Sequence, residues 1–356
     1  MYRIYADKQL IYSPDMVDNG YFVTSPTCEK EVNKSGSCQF YIYKLNPYYN
    51  AIKPLVTIIT VTDDGREIWR GRVLNVTNDF DNRKTVYCEG TLSFLVDSVI
   101  RPYDRNCNMA DQFRYLIEQH NSQVEEFKRF TVKSITVDDP YGSKQWKTEN
   151  YEKTKDAIDG ILNTYGGYII VTFEDGQNKI SYVKDPGVYS SQTIEFGRNL
   201  LDITNTTNPD NVFTALIPIG YDGSHNKITI ESVNDNKDYI VSEEGQQQYG
   251  LIYYHHTFDE TISTPTELKE KAIAFLNKNI KASRTISLKA IDLHMIDPTI
   301  QAIDLYDLIK VTSTPHGIDE YEMCSKITLN LEKPEASEYI IGTVPEGIID
   351  MQKTTT

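Results

Sequence analysis

The feature that most constrains this chain is a succession of short runs rich in Val, Ile, Thr and Tyr, cut at close intervals by turn signals. β-branched and aromatic side chains suit a pleated, half-buried surface, and runs of this length read as strands. In the first hundred residues they fall at 40–45, 55–61, 67–76 and 84–95. Asp63-Asp64-Gly65 separates the second from the third. Asp-Gly supplies the positive φ angles of a two-residue hairpin, so these two runs are expected to pair. Strands spaced in this way point to a sandwich or barrel.

The next region is mixed. Met109, Phe113, Leu116 and Ile117 share one helical face, with Asn106 or Asn108 as the N-cap. Ile158, Ile161, Leu162 and Tyr165 repeat the pattern, and Gly166-Gly167 ends that helix. A hairpin is expected at 168–173 and 179–183, around Asp175-Gly176. Asp185-Pro186-Gly187 then marks a boundary. Two strands are expected within 200–221, around a polar loop at 205–211. Thr264-Pro265-Thr266-Glu267 is a capping box opening a helix with Leu268, Ala272, Phe275 and Leu276 on one face. Strands follow at 285–293, with Ile286, Leu288 and Ala290 facing inward, and at 305–312 and 321–331.

The two β regions echo each other. Gly65, Trp69, Tyr87 and Gly90 recur 252 positions later as Gly317, Tyr321, Tyr339 and Gly342. Val73, Leu74 and Val76 do not match Ile327, Leu329 and Leu331 unless a bulge or one-residue slip intervenes. The spacing is that of a duplicated unit.

Chemistry is scarce. The six histidines and five cysteines form no HExxH, HxH, CxxC or GxSxG arrangement. His255-His256 is the one histidine pair, and on a strand its rings would point to opposite faces. Cys107 and His120 could meet only through tertiary contact. Gly71 and Gly90 are isolated rather than part of a phosphate-cradling loop. Cys28 and Cys38 lie ten apart, but reduced, buried thiols are the expectation for all five cysteines. No catalytic, cofactor-binding or metal-binding residues are therefore assigned, and the chain is expected not to be an enzyme. No apolar stretch reaches the roughly 18 residues of a membrane span, and the first residues lack the apolar core of a signal peptide. The formal charge of −15 opposes non-specific binding to nucleic acid. Lys128-Arg129-Phe130 and Lys144-Gln145-Trp146-Lys147 are too short to reverse this, and read as solvated surface.

Four segments carry a family resemblance: 67–73 (EIWRGRV), 87–95 (YCEGTLSFL), 211–220 (NVFTALIPIG) and 304–311 (DLYDLIKV). With the order of strand-rich, α+β and interrupted strand-rich regions, the chain resembles the tail-tip hub proteins of long-tailed phages and prophages of Gram-positive bacteria. These are the prophage tail endopeptidase family, similar in fold to the baseplate hub protein of contractile phages. The resemblance implies a mainly β fold with α+β parts. Two similar β-barrel domains would occupy 1–98 and 191–225 plus 285–342. An α+β domain would occupy 99–190, a small insertion domain with one helix 226–284, and a C-terminal tail 343–356.

It also implies a structural role at the virion tail tip. The chain would be made in the bacterial host cytoplasm, without a membrane span. It would form a homotrimeric ring closing the tail tube, through which DNA passes without specific binding. Its other partners would be the distal tail protein, the tape measure protein and receptor-binding tail proteins. The family's peptidase activity usually lies in further C-terminal domains, which the chain's end at Thr356 leaves in doubt. A cell-wall peptidase and a polysaccharide-binding tail module are the competing readings.

Overall fold

The computed structural model describes residues 1–140, 142–208, 212–223, 226–262, 264–279 and 283–342. The tail at 343–356 and part of the loop expected at 205–211 lie outside them. Two compact units emerge. One comprises 1–204 and 287–342, the other the described residues of 205–286.

The larger unit begins with β1 (Tyr2–Ala6), β2 (Gln9–Tyr12), β3 (Thr24–Glu31), β4 (Ser37–Ile42), β5 (Ile58–Asp63), β6 (Arg66–Asn78) and β7 (Lys84–Gly90). Strict alternation of buried and half-buried residues in β1, β4 and β5 shows one face turned to a core. Asp64 and Gly65 both have positive φ, which makes the β5–β6 link the expected two-residue hairpin. Asp7 and Lys8 make the same kind of turn between β1 and β2, without the glycine that would have flagged it. The run expected as a strand at 84–95 ends at Gly90. Residues Thr91–Asp97 coil into 3₁₀ turns, because Leu92, Phe94 and Leu95 leave the sheet for a second core.

That core belongs to an α+β module of β8 (Val99–Ile100), β9 (Tyr103–Cys107), α1 (Met109–Asn121), β10 (Phe130–Ile135), β11 (Lys144–Thr148), β12 (Glu152–Lys153), α2 (Thr154–Tyr165), β13 (Tyr168–Glu174) and β14 (Gln177–Val183). Asn108 caps α1, its side-chain oxygen accepting from the Asp111 amide at 2.8 Å. Gly166 closes α2 with a positive φ, its amide donating to the Leu162 carbonyl at 2.7 Å. The apolar faces of both helices and the sheet β10-β14-β13 bury Phe113, Ile158, Ile180 and Tyr182.

β15 (Tyr189–Glu195) and β16 (Leu200–Asn208) follow. The smaller unit then holds β17 (Ala215–Tyr221), β18 (Lys227–Ile228), β19 (Ile240–Val241), α3 (Glu243–Tyr249), β20 (Tyr253–Thr261) and α4 (Pro265–Asn279). Thr264 caps α4 as expected, accepting from the Glu267 amide at 3.2 Å. Two helices therefore stand where one was expected. β17, expected in the second β domain, pairs with β18, β19 and β20, and Leu216 joins Leu268 and Ala272 in this unit's own core.

The chain returns through β21 (Ser283–Ala290), β22 (Leu308–Ser313), β23 (Ile318–Asn330) and β24 (Glu338–Gly342). Ile286, Leu288 and Ala290 are buried, as their spacing indicated. The fold is mainly β with α+β parts, and the described strands form several open sheets. The two β regions are neighbours in one thirteen-stranded sheet, because β23 pairs antiparallel with β3 over Lys326↔Glu31 to Asn330↔Thr27.

Candidate functional site

The internal echo is a property of the strand ladder as well as of the sequence. In the first β region the neighbours run β3-β4-β7-β6-β5-β1, and in the second β16-β21-β24-β23-β22-β15. Arg72↔Glu89, Asn75↔Tyr87 and Val76↔Val86 in β6–β7 become Cys324↔Ile341, Ile327↔Tyr339 and Thr328↔Glu338 in β23–β24. Each pair lies 252 positions from its counterpart. Both ladders slip within this stretch, after Val73 and after Cys324, which is the bulge the sequence mismatch required. The copies differ at the last strand, where β1 is antiparallel to β5 and β15 is parallel to β22.

Gly71 and Gly90 sit opposite each other in β6–β7. A Cβ on Gly71 would lie 2.1 Å from the Glu89 carbonyl oxygen, and one on Gly90 1.8 Å from that of Ser35. Close backbone approach explains both glycines. Next to them, Arg72 is buried, with its side chain 5% exposed. Its guanidinium donates to Glu89 at 2.7 Å and grips both carboxylate oxygens of Asp97. Lys128 reaches Asp97 at 3.0 Å and Glu125 at 3.0 Å. Burial would raise the Asp97 pKa, but hydrogen bonds from Arg72 and Lys128 outweigh it and hold the carboxyl below its usual range. Arg72, Asp97, Glu125 and Lys128 line a groove of about 460 Å³ with Leu55, Val96, Gln123 and Lys153. Arg72 and Lys128 are each matched by carboxylates.

A second charged cluster spans the two β regions. Lys30 of β3 pairs with Asp304, which also faces Arg66 at 3.6 Å. Burial would raise Asp304, but the adjacent Lys30 charge prevails and lowers it. The Asp307 carboxyl accepts the Asp304 amide at 2.8 Å, and burial pushes its pKa up to about 6. Lys326 joins the same seam through Glu29 at 2.9 Å and Glu31 at 3.4 Å.

The histidines and cysteines are engaged elsewhere than in a reactive pair. His120 is buried, its Nδ1 accepting from the Ser98 hydroxyl at 2.7 Å and its Nε2 donating to the Lys128 carbonyl at 3.0 Å. Burial lowers its pKa, which fits a neutral core imidazole. Cys107 instead faces the Gln112 amide oxygen at 3.8 Å. His255 is exposed, and His256 stacks on Phe275 at 4.2 Å between ring centroids. Cys28, Cys38 and Cys88 occupy facing positions on β3, β4 and β7, buried as free thiols. Lys144 lies over Trp146 at 4.4 Å. No group of three or more His, Cys, Asp or Glu arranged to hold a metal occurs among the described residues. No helix among them is long and apolar enough to cross a membrane.

Residues 188–352, just under half of the chain, match the prophage endopeptidase tail family. The tail protein of Neisseria meningitidis superimposes with a TM-score of 0.67 at 12% identity, covering 96% of each chain. The fold is that of prophage tail proteins. The 43 kDa tail protein of prophage MuSo2 from Shewanella oneidensis gives a TM-score of 0.65 at 13% identity, over 96% of this chain and 97% of the other. Prophage tail protein gp18 of Listeria monocytogenes gives 0.57 at 13% identity, over 93% and 91%. No curated protein matches. The resemblance drawn from the four sequence segments thus extends to nearly the whole fold.

Proposed function

We propose that this prophage tail protein is the structural hub of the tail tip, where three copies close into a ring at the end of the tail tube. The observation that carries this reading is the duplicated strand ladder. One chain offers two similar β surfaces, so three chains offer six, which suits a sixfold tube without a further adaptor. A cyclic ring closes through heterologous contacts. Its channel would pass DNA without holding it, since the chain carries −15, a charge of the same sign as the phosphates. Distal tail, tape measure and receptor-binding proteins are the partners this position implies. The hub itself would bear no catalytic, cofactor or metal site.

Sedimentation across a salt series tests the assembly. Like charge opposes association most at low salt, where the Debye length is about 30 Å at 0.01 M. The expected result is a shift from the 40.8 kDa chain toward three times that mass as salt rises. A monomer at every concentration and salt would overturn the ring. The purified chain is also expected to leave Gram-positive cell walls intact. Cleavage abolished by substitution of Cys107 or His256 would favour the peptidase reading.

A further inference from the structure

Lys30 and Asp304 lie 274 positions apart, yet the Lys30 ammonium donates to Oδ1 of Asp304. Lys30 stands opposite Ile327 where β3 pairs with β23, at the junction of the two β regions. Its side chain is 16% exposed, and Asp304 is half-buried beside it. Both residues line a small cavity with the buried side chains of Tyr2, Ile303, Ile327 and Leu329. The cavity measures about 20 Å³, room for a single water molecule.

A third group completes the cluster. Asp307 is buried, and its carboxyl accepts from the Asp304 amide at 2.8 Å, which anchors it to the residue that carries the pair. The charges of Asp304, Lys30 and Arg66 all act on it. Asp304 itself is held by two donors besides Lys30. The Leu305 amide donates to Oδ1 at 2.7 Å, and Arg66 faces Oδ2 at 3.6 Å. An amine, a carboxyl and a buried acid held side by side are the nucleophile, electrophile and proton carrier of an amide condensation.

We propose that Lys30 Nζ and Asp304 Cγ condense into an isopeptide bond in the folded chain, with Asp307 carrying the protons. In the ion pair neither partner reacts, because the ammonium has no lone pair and the carboxylate resists attack. Moving one proton from Nζ to Oδ2 through Asp307 gives the amine and the acid, and burial favours this exchange by penalising both charges. Nζ then attacks Cγ and the C–N bond forms. Negative charge gathers on Oδ1, where the Leu305 amide points. Asp307 takes the second proton from nitrogen and passes it to the hydroxyl at Oδ2. The C–O bond breaks, one water leaves, and Asp307 is again the carboxylate it was. Nothing is oxidised or reduced. Burial raises Asp307 to about 6, close enough to neutral pH for it to take and give a proton. The reaction runs once per chain and turns over no substrate. The bond clasps β3 to the loop ahead of β22, across the β3–β23 junction. Until it forms, Asp307 acts on stability as a buried carboxyl alone.

Mass spectrometry of the full chain tests this. Folded wild type should become lighter by one water, about 18 Da, and its protease digest should contain a branched peptide joining the segments around Lys30 and Asp304. Ring closure at an Asp-Gly pair such as Asp64-Gly65 removes the same mass, so the branched peptide decides. Lys30→Arg keeps the positive charge and should stay at full mass. Asp307→Asn keeps an acceptor for the Asp304 amide and should slow bond formation about a hundredfold. The wild-type digest stands by itself if either variant misfolds. Wild type that stays at full mass on prolonged incubation, or a lost water that maps elsewhere, overturns the bond. Asp307→Asn that links at the wild-type rate overturns its role as proton carrier.

Discussion

Replacing Arg72 with Leu should destabilise the larger unit through two stranded carboxylates. The guanidinium is buried and bonded to Asp97 and Glu89. Removing one member of a fully buried ion pair costs about 3–5 kcal/mol. Here Asp97 keeps Lys128 at 3.0 Å, and both carboxylates retain some contact with solvent. About 2–3 kcal/mol is the expected loss at pH 7. For a unit of this size that lowers Tm by roughly 4–12 °C, read by circular dichroism. The Asp97 pKa is depressed in the folded protein, so its stabilisation is present above the unfolded value near 3.9 and fades as pH falls through the folded value. The gap between wild type and variant should therefore be widest at pH 7 and narrow as pH falls below the unfolded value toward the depressed folded one. Adding Asp97→Asn and Glu89→Gln to the variant should recover part of the loss at pH 7. A loss under about 0.5 kcal/mol, or one that is the same at pH 7 and pH 3, would refute the electrostatic explanation.

Asp307 should act with the opposite sign. Its folded pKa is raised to about 6, so its contribution is complete below the unfolded value and lost as pH rises through about 6. Asp307→Asn should match wild type near pH 4 and exceed it by about 1 kcal/mol at pH 7, after solvent screening. Equal urea midpoints at both pH values would contradict this. Gly90→Ala should cost more than about 3 kcal/mol or abolish soluble yield, because the new methyl would meet the Ser35 carbonyl at 1.8 Å. Gly160→Ala, in α2 with open space around it, should gain about 0.5–1 kcal/mol. Equal effects from the two alanines would count against the close-packing explanation of Gly90.

What was legible in the sequence was mostly local. Asp64-Gly65, Asn108, Gly166 and Thr264 act through angles and hydrogen bonds within a few residues, and each stands where its chemistry required. Asp7-Lys8 forms the same turn as Asp64-Gly65 without a glycine, so β1 and β2 gave no comparable signal. The pairing of Leu329 with Cys28 joins residues about 300 positions apart, and no local pattern can announce it. That single contact joins the strands of the two β regions in one thirteen-stranded sheet. β17 was placed in the second β domain by the resemblance, and its partners are those of the insertion. Arg72 was hidden for another reason. A charged residue between Arg70 and Val73 reads as a solvated face, and only the fold of the 91–97 segment brings Asp97 to it. The echo at 252 positions was visible from four residues, and its mismatch at Val73 and Leu74 correctly signalled a bulge.

The central claim, a structural hub at the tail tip, is tested most directly by electron microscopy of phage particles released from the host that carries this chain. Gold-labelled antibodies raised against the purified protein should decorate the distal end of the tail. Labelling confined to the head or spread along the tail shaft, or particles that lack the protein altogether, would contradict it.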